Sequence, residues 1–322
     1  MSEKDINDLA VFPGALANCA APVKISFIKA LDNLLGGLTA IPAAKLKQYA
    51  QGIEDTTASR SAIAAAIAKA CAESAVADPV LMQAATEVFL PSSIRKARNR
   101  LNVAMKAAEY IAADTGDSSK STPPDEDWIN LYTRFAEDAS SEKLQDLFGR
   151  ILAGQIVRPG SFSASTIRAL AELDQSIAID FDLVWTKSVG DSVDYSSEFQ
   201  RGEWFSRWQR LAEAGLMSSR HIAQFLPPFT PIIDGNGVWT PVNADDTFLI
   251  IKFTQNYHAE WLQIEFTRTG REIGSILARP NYAENMRLVG RKLVQQGVSR
   301  VELHAGGKLL ELIYEAAAPQ SG

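Results

Sequence analysis

The chain has 322 residues, of which 46% are hydrophobic and 22% are charged, and its formal net charge at pH 7 is −6. This length supports two or three hydrophobic cores. The net negative charge excludes a protein that binds nucleic acid through an overall basic charge, although a local basic face can still do so. Two cysteines are too few for a four-cysteine zinc site within one chain and suit buried thiols in a reducing compartment.

The first ten residues, MSEKDINDLA, are polar and acidic, which is unlike a secretory signal. No uncharged apolar run of about 20 residues follows, so we expect a cytoplasmic protein without a stable membrane span. The most apolar stretch, residues 25–44, is interrupted by Lys29 and Asp32 and carries a helical apolar stripe. This stripe favours packing in a core or an oligomer, and contact with a membrane surface is the alternative.

Up to residue 113 the pattern predicts successive helices with short breaks and no strand-like alternation. An Ala-rich helix is predicted over residues 59–74, and a second helix follows Asp78 as its N-cap. A third helix runs from about Pro91 to Ala113. The sequence therefore predicts a helical N-terminal domain over residues 1–113.

The helix that begins near Pro91 concentrates basic residues in its first turns, namely Arg95, Lys96, Arg98 and Arg100. Such a cluster can hold nucleic acid or an anionic lipid. The favoured interpretation is a solvated face that balances the acidic residues of the following linker.

Residues 114–127, DTGDSSKSTPPDED, are polar and contain a Pro pair, which predicts a linker. Four helices with short connections follow, and they predict an antiparallel helical bundle over residues 128–190. Their sequences are WINLYTRFAEDA, SSEKLQDLFGRILAGQIV, SASTIRALAEL and IAIDFDLVWTKSV, the last of which Asp174 can cap.

Gln155 lies in the apolar stripe of the second of these helices, just before an Arg-Pro-Gly-Ser turn. A glutamine does not titrate, so it cannot act as an acid or a base. The turn leaves unpaired carbonyls at one helix end and unpaired N–H groups at the next, and an amide can bond to both. We therefore predict a structural role for Gln155, with Ser161 and Ser163 available to the remaining N–H groups.

Two glycines of the same helix, Gly149 and Gly154, predict close packing of a neighbour. A glycine inside a helix costs about 1 kcal/mol relative to alanine, a cost that is often tolerated where another backbone approaches. Arg150 follows Asp146 by four residues, which is typical of a surface ion pair on a helix.

The stretch from Glu126 to Asp174 carries a tryptophan before an amphipathic helix, an S-x-E-x-x-Q spacing, R-I-L-A-G-[EQ], P-G-S-F-S and a Thr-led helix. It resembles a bacterial family catalogued only as a domain of unknown function, number two thousand eight hundred and six. The residues that carry the resemblance are Trp128, Ser140, Glu142, Gln145, Arg150, Gly154, Gln155, Pro159, Gly160, Ser161, Ser163 and Thr166.

The resemblance implies that glutamate is usual where this chain has Gln155. Because this chain has an amide there, the departure argues against a carboxylate being obligatory at this position. It implies an architecture and no established reaction. Similar helical families are associated with abortive infection and other phage defence, so the resemblance implies a defence context.

Beyond Gly190 the pattern predicts an α+β domain over residues 191–322. A helix over residues 198–217 ends at Gly215, and a Pro-rich stretch with turn signals follows. The remaining predicted elements are strands over 246–253 and 260–266, a helix from the cap Thr267 to Leu277, a helix from about Asn281 to Gln296, and a hairpin of two strands over 298–316.

Residues 211–277 are similar to the frame of winged-helix domains, in which a helix ends in a Gly-Leu pair, a hairpin follows and a Thr-led helix closes the unit. Residues 201–300 hold 12 Arg and Lys against 9 Asp and Glu. Arg207, Arg268 and Arg271 are therefore candidates for contacts with DNA phosphates. A winged fold that contacts only proteins is the alternative.

No catalytic residue, cofactor site or metal site is predicted. The three histidines, His221, His258 and His304, lack metal-ligand spacing, and Gly306-Gly307-Lys308 reads as a hairpin turn. Asp245 and Asp246 before a strand suggest a metal-dependent nuclease as an alternative, although their spacing is too short for the usual aspartate-to-E-x-K arrangement. The aromatic cluster Trp204, Phe205 and Trp208 suits either a core or a contact surface.

The sequence thus predicts a mostly α fold with a C-terminal α+β portion: a helical N-terminal domain, a central helical bundle and a winged-helix-like segment. The leading hypothesis is a non-enzymatic interaction or regulatory protein, associated with phage defence, that forms a homo-oligomer or binds a protein encoded nearby. The alternatives are a DNA-binding regulator, a membrane-acting effector that uses residues 25–44, and a metal-dependent nuclease.

Overall fold

The computed structural model describes residues 16, 19–35, 90–114, 120–225, 238–239, 246–253, 260–294 and 298–317. The chain divides into two compact units, Met1–Ala171 (unit 1) and Glu172–Gly322 (unit 2). Several predictions fall outside the described residues, namely the helices over 59–74 and after Asp78, and the features at the Pro-rich stretch, Cys71, Asp245 and His258.

Unit 1 contains five described α-helices. They are α1 (Ala21–Leu35), α2 (Leu90–Ala113), α3 (Glu126–Ala136), α4 (Glu142–Val157) and α5 (Ala164–Glu172), the last of which ends one residue beyond the division. Short polar side chains begin two of them: the carboxylate of Asp125 accepts from the backbone N–H of Trp128, and the hydroxyl of Ser141 accepts from that of Leu144. Such caps satisfy N–H groups that the first helical turn leaves unpaired.

The core of unit 1 forms where α1 and α2 pack on α3 and α4. The predicted apolar stripe of α1 is used here, since Phe27, Leu31 and Leu34 are buried. Helix α2 runs close to α4 at Gly149, where an added Cβ would lie 2.5 Å from the Cβ of Lys106. The close packing expected from this glycine is therefore present, and the α1 stripe packs within unit 1.

Unit 2 combines helices with two antiparallel sheets. Its α-helices are α6 (Gln175–Trp185), α7 (Glu203–Glu213), α8 (Arg268–Gly274) and α9 (Tyr282–Lys292), and a short 3-10 helix covers Ser197–Phe199. Its strands are β1 (Ser188–Val189), β2 (Ser192–Asp194), β3 (Met217–Phe225), β4 (Val238–Trp239), β5 (Thr247–Phe253), β6 (Glu260–Phe266), β7 (Val298–Ala305) and β8 (Lys308–Glu315).

The first sheet has the strand order β1-β2-β6-β3. Phe266 of β6 packs edge-on against Phe181 and Trp185 of α6, with ring centroids 5.9 and 5.2 Å apart. After β6 the hydroxyl of Thr267 caps α8 by accepting from the backbone N–H of Gly270. A Cβ at Gly270 would collide with the carbonyl oxygen of Leu216, so α8 approaches the end of the α7 segment at backbone distance.

The second sheet has the order β4-β5-β7-β8, and α9 covers one of its faces. The side chains of Leu249, Ile251, Val301 and Leu303 form its core together with those of α9. Buried residues thus alternate with less buried ones, at Leu249 and Ile251 of β5 and at Val301 and Leu303 of β7, as expected for strands with one buried face.

Among the described residues there are nine α-helices and two antiparallel sheets, with the strands in the C-terminal part. The predicted combination of helices with a C-terminal α+β portion is therefore confirmed. The division after Ala171 places α6 in unit 2, whereas the sequence analysis grouped this helix with the central ones.

Several predicted boundaries are wrong. The helix expected over residues 198–217 is interrupted at Gly202, whose φ of +61° breaks the helical path, and Met217 already belongs to β3. Helix α6 ends at Trp185, because Ser188 and Val189 pair with β2. Helices α8 and α9 end at Gly274 and Lys292, each a few residues before the predicted end.

Candidate functional site

The corner between α4 and α5 contains the family pattern, and Gln155 lies at its centre. The side chain of Gln155 is 5% exposed, and its Oε1 accepts a hydrogen bond of 3.1 Å from the backbone N–H of Phe162. The carbonyl of Phe162 accepts from Nε1 of Trp128 at 2.8 Å. Two side chains from two helices therefore bond both backbone groups of Phe162, and the amide faces the protein interior.

The ring of Phe162 closes this corner against Gly154. A Cβ at Gly154 would lie 2.6 Å from the ring, so only glycine leaves room for it. Trp128 stacks on Tyr132 at 5.1 Å, and the Tyr132 hydroxyl donates to the carbonyl of Phe148 at 2.7 Å. Burial raises the pKa of Tyr132 well above its usual value. The tryptophan of the pattern is thus a core residue.

The turn itself is the exposed part of the corner. Arg158, Pro159 and Gly160 face solvent, and Gly160 has a φ of +84°. The Ser161 hydroxyl donates to the carbonyl of Arg158 at 2.5 Å, and the Ser163 hydroxyl lies 3.1 Å from that of Thr166. The carbonyl of Arg158 also accepts from the backbone N–H of Ser161 at 3.2 Å, so Ser161 closes the turn through both of its donors, and its bond to an unpaired N–H group stays a prediction.

Gln145 is the other buried amide of the pattern. Its Nε2 donates to the carbonyl of Ala139 at 2.8 Å and to Oδ1 of Asn99 at 3.2 Å, and its Oε1 accepts from Nδ2 of Asn102 at 3.1 Å. These bonds tie α4 to α2 and to the end of α3. Gln145 is therefore a connector between helices.

Arg150 forms the predicted pair with Asp146, with Nε and Oδ2 3.0 Å apart. Its guanidinium also lies 4.7 Å from the ring centroid of Tyr110, whose hydroxyl donates to Asp146 at 2.6 Å. This arrangement of ring, carboxylate and guanidinium joins α2 to α4.

The basic cluster of α2 is divided between a packed side and an exposed side. Lys96 and Arg100 form ion pairs with Glu137, while Arg95 and Arg98 are exposed. Burial alone would raise the pKa of Glu137, but the hydrogen bonds and charges of Arg100 and Lys96 lower it below its usual value. The charge that balances the packed side thus comes from the end of α3 and not, as expected, from the linker.

Arg207 is held inside unit 2. Its Nε donates to Oδ1 of Asp180 at 2.7 Å, and the side chains of the two residues are 10% and 9% exposed. Arg210 donates to the other carboxylate oxygen of Asp180. Burial alone would raise the pKa of Asp180, but the two arginines lower it. Arg207 therefore joins α7 to α6 and does not present its charge on the surface.

The two candidate DNA contacts on α8 are more accessible. The side chain of Arg268 is 66% exposed and lies 2.6 Å from the carboxylate of Glu272. Arg271 donates to the carbonyl of Phe266 at 3.0 Å, and its Nε lies 3.6 Å from the Asp191 carboxylate. Both charges thus have an acidic neighbour within their own unit.

Aromatic rings near α7 are also used for packing. The Trp204 ring stacks on Trp208 at 5.4 Å, meets Phe199 edge-on at 4.9 Å and lies 4.5 Å from the Arg207 guanidinium. Phe205 of this cluster stays exposed.

The titratable side chains in the described part of the chain form no metal-binding group of three or more His, Cys, Asp or Glu residues. His304 lies 2.8 Å from Glu302 and stacks on Phe248, and Asp246 is an exposed residue beside the Gly306–Gly307 turn. Burial alone would raise the pKa of Glu302, but hydrogen bonds from His304 and Arg300 lower it.

An exposed apolar surface on β8 was not predicted from the sequence. Leu309, Leu310 and Leu312, which we call the leucine patch, are 51%, 55% and 42% exposed. β8 stands at the end of its sheet, and no described strand pairs with its other edge. One signal was available: the run K-L-L-E-L-I-Y-E does not alternate between apolar and polar residues, so its leucines cannot all enter the core.

A register shift between β7 and β8 brings Leu312 to the same face as Leu309. Leu312 pairs with Glu302, Glu311 with Leu303, and Leu309 with His304, so β8 contains extra residues that bulge from the ladder. Residues directly opposite each other share a face of the sheet. Leu309 and Leu312 therefore lie on the face of Glu302 and His304, whereas Glu311 faces α9, where it accepts from Arg287 at 2.5 Å.

By its fold, the protein belongs to the class that combines a helical unit with an α+β unit. Internal hydrogen bonds hold the corner motif of the helical unit. Residues 92–223 match the family described as "Protein of unknown function (DUF2806)". This match confirms the resemblance seen over residues 126–174. No curated protein and no solved structure matches the chain. The matched residues begin in α2 and end in β3, so they include the Gln155 corner and leave β8 outside.

Of the helices in the described ranges, none is both long enough and apolar enough to cross a membrane.

Proposed function

We propose that the protein acts without catalysing a reaction, by binding another protein chain through the leucine patch of β8. The observation that carries this proposal is the exposure of three leucines within four residues of one edge strand. Large exposed apolar surface is costly in water and marks contact sites. An open strand edge adds unpaired backbone N–H and C=O groups that a further strand can bond.

The hydrogen bonds of the family motif support different roles for the two units, with the motif of unit 1 as a scaffold. Trp128, Gln145 and Gln155 direct their polar atoms to backbone or side-chain groups of unit 1. Buried polar groups need such partners, because an unpaired one costs about 1–3 kcal/mol. These bonds support a scaffold role for the motif, and a contact surface must then be sought elsewhere.

A triple substitution tests this proposal. Replacing Leu309, Leu310 and Leu312 together by serine removes the apolar side chains and keeps the strand. The matched control replaces Ile179, Leu183 and Phe205 by serine, because these residues of unit 2 are also exposed, at 59%, 39% and 49%.

The measurement is the mass of the tagged protein in cell extract and after purification, by size-exclusion chromatography with light scattering and by cross-linking. We expect the unaltered protein and the control to form an assembly larger than one chain, and the patch variant to be reduced to one chain. Identical assemblies in all three proteins, or single chains throughout, would refute the proposal.

We further propose that this binding takes place in the cytoplasm and serves phage defence. The family resemblance supports this setting. In a plaque assay, we expect cells that express the protein to reduce phage plating, and the patch variant to lose the reduction. Equal plating with and without the protein, across a varied phage panel, would count against the defence role.

A second candidate function is DNA binding by a winged-helix-like segment of unit 2. The observation that favours it is the order of α7, the β3–β6 pair and α8, with Gly270 packed on the carbonyl of Leu216 and two arginines on α8. The acidic neighbours of Arg268 and Arg271 place it second, because they offset the charge offered to phosphates.

Salt dependence tests the DNA-binding candidate. Each phosphate contact that is lost should weaken duplex binding and reduce its salt dependence. We therefore expect the Arg268→Ala, Arg271→Ala double variant to bind more weakly with a shallower salt dependence. The control is Arg95→Ala with Arg98→Ala, which removes two exposed arginines of unit 1. Binding that responds neither to salt nor to the α8 substitutions would exclude this function.

A further inference from the structure

We infer that the partner of the leucine patch is a second copy of this chain, bound by antiparallel pairing of two β8 strands around Leu312. This inference rests on the proposed function and names its partner. A dimer of this kind has a two-fold axis, so both copies contribute the same residues to the interface. Two-fold symmetry is the commonest symmetry of soluble oligomers.

Charge complementarity favours an antiparallel pair. β8 begins at Lys308 and ends at Glu315, and both of these residues are exposed. Antiparallel pairing brings the basic end of each strand beside the acidic end of the other, whereas parallel pairing in register would bring like charges together. The ends of a second β8 therefore carry charges opposite to those of the ends that they approach, although Glu315 also pairs with Arg300 of its own chain at 2.6 Å.

The sequence of β8 then favours the register centred on Leu312 over its two neighbours. When a two-fold axis relates two antiparallel strands, one residue lies opposite its own copy. An axis at Glu311 would place two carboxylates opposite each other, and an axis at Ile313 would place Glu311 opposite Glu315, both of which are unfavourable. An axis at Leu312 places Leu312 opposite Leu312, and Leu310 opposite Tyr314.

The Leu312 register therefore aligns Leu312 with Leu312 and Leu310 with Tyr314, avoids opposed carboxylates, and places Leu309 opposite Glu315. The bulges of β8 at Leu310 and Ile313 normally discourage edge pairing. The exposed leucines favour pairing in spite of the bulges, because pairing removes their apolar surface from water. Leu312 lies between the two bulges, directly before the one at Ile313.

A charge-swap experiment tests the partner and the register together. We substitute Leu312→Lys and Leu312→Glu in the full chain and measure self-association by sedimentation velocity over a range of concentrations. Each variant alone places like charges opposite each other across the axis. We expect its dimer dissociation constant to rise by about tenfold or more, since like charges directly opposite each other are unfavourable.

An equimolar mixture of the two variants places lysine opposite glutamate, and we expect it to restore the dimer. This restoration also shows that both variants are folded. The matched control is Leu288→Lys and Leu288→Glu on α9, where the side chain is 47% exposed and lies outside the patch; both should dimerise like the unaltered protein.

A cysteine test probes the register independently. A cysteine at position 312 would lie opposite its copy, within the Cα separation of about 4.4–6.8 Å that a disulfide requires. We expect Leu312→Cys to give an oxidised, covalent dimer and Leu309→Cys to give little of it. A dimer that Leu309→Cys cross-links and Leu312→Cys does not would overturn the register.

The inference fails if the unaltered protein remains a single chain at all concentrations, or if the mixture of the Leu312 variants stays monomeric. The proposed function is judged separately by the triple serine variant. A purified single chain whose patch variant loses a different protein in cells would overturn the second-copy inference and keep the proposed function. A patch variant without any effect would overturn both.

Discussion

Replacing Gln155 by methionine tests whether the amide at the corner is structural. Methionine has a similar size and flexibility and retains no strong acceptor. In the structure the Oε1 of Gln155 accepts from the backbone N–H of Phe162 at 3.1 Å, and both residues are 5% exposed. The substitution therefore leaves a buried N–H group without this acceptor and changes the packing of the apolar stripe little.

The magnitude follows from the unpaired N–H group. A buried donor that loses its partner costs about 1–3 kcal/mol, and the similar volume of methionine adds less than about 1.5 kcal/mol. If the whole loss of about 1–3 kcal/mol appears as easier opening of the corner, the Phe162 amide should exchange about 5- to 150-fold faster, since 1.4 kcal/mol is a factor of ten.

Hydrogen–deuterium exchange followed by mass spectrometry measures this change on a peptide that contains Phe162. The control is Gln209→Met, the same chemical change at an exposed position of α7. We expect faster exchange at Phe162 in the Gln155 variant and an unchanged rate in the control. A Gln155→Met protein with normal exchange at Phe162 and a lost cellular activity would refute the structural interpretation and indicate that the amide acts on a ligand.

Three further substitutions extend this reasoning. Gln145→Met should destabilise unit 1 by more than Gln155→Met in urea unfolding, because three hydrogen bonds are lost instead of one. Gly154→Ala should lower the melting temperature, because its Cβ would lie 2.6 Å from the Phe162 ring, and such overpacking costs about 1–3 kcal/mol. Asp180→Asn should cost about 3 kcal/mol in unit 2, the lower end for a broken buried pair, since Arg210 is partly exposed. The folded-state pKa of Asp180 is lowered, so its contribution is present above the usual value of 3.8 and is lost as the pH falls through the lowered value. The stability difference between the unaltered protein and Asp180→Asn should therefore shrink in acid, and a pH-independent difference would contradict this assignment.

Elements that depend on neighbouring residues could be predicted from the sequence. The caps at Asp174 and Thr267 and the strand Glu260–Phe266 follow from local side-chain chemistry and from the alternation of apolar residues. The Gln155 corner belongs to the same group, because the residue that the amide bonds lies only seven positions further on. Local signals of this kind are readable from one sequence.

Elements that depend on distant pairing could not be predicted. Residues 198–217 have helical periodicity, but the left-handed conformation at Gly202 divides them. The last of these residues, Met217, pairs with Phe266 of β6, which is distant in sequence. The Asp180–Arg207 pair joins residues 27 positions apart, so the sequence left Arg207 as a surface candidate. Tertiary pairing overrides local propensity at such places.

The leucine patch shows how the same limit applies to function. The sequence predicts the hairpin of β7 and β8, but the face of Leu312 depends on a register shift at Leu310 that lies within the pairing and leaves no turn signal. A shift of one residue moves a side chain to the opposite face of a sheet. Leu309 already lies on the face of His304 in the hairpin register, and the shift at Leu310 places Leu312 on the same face, instead of beside α9, so that both leucines join one exposed surface.

The patch lies outside the residues that match the family, so the family match and the proposed association concern different parts of the chain. The matched residues 92–223 end before β8, and their motif side chains bond within unit 1. A pattern of this kind specifies how a corner is built, since each of its polar groups is satisfied internally. Other proteins with the same corner can therefore differ in their C-terminal strands without loss of the motif. If the charge-swapped Leu312 variants restore each other, the association belongs to this chain's β8, and the motif alone does not predict it for its relatives.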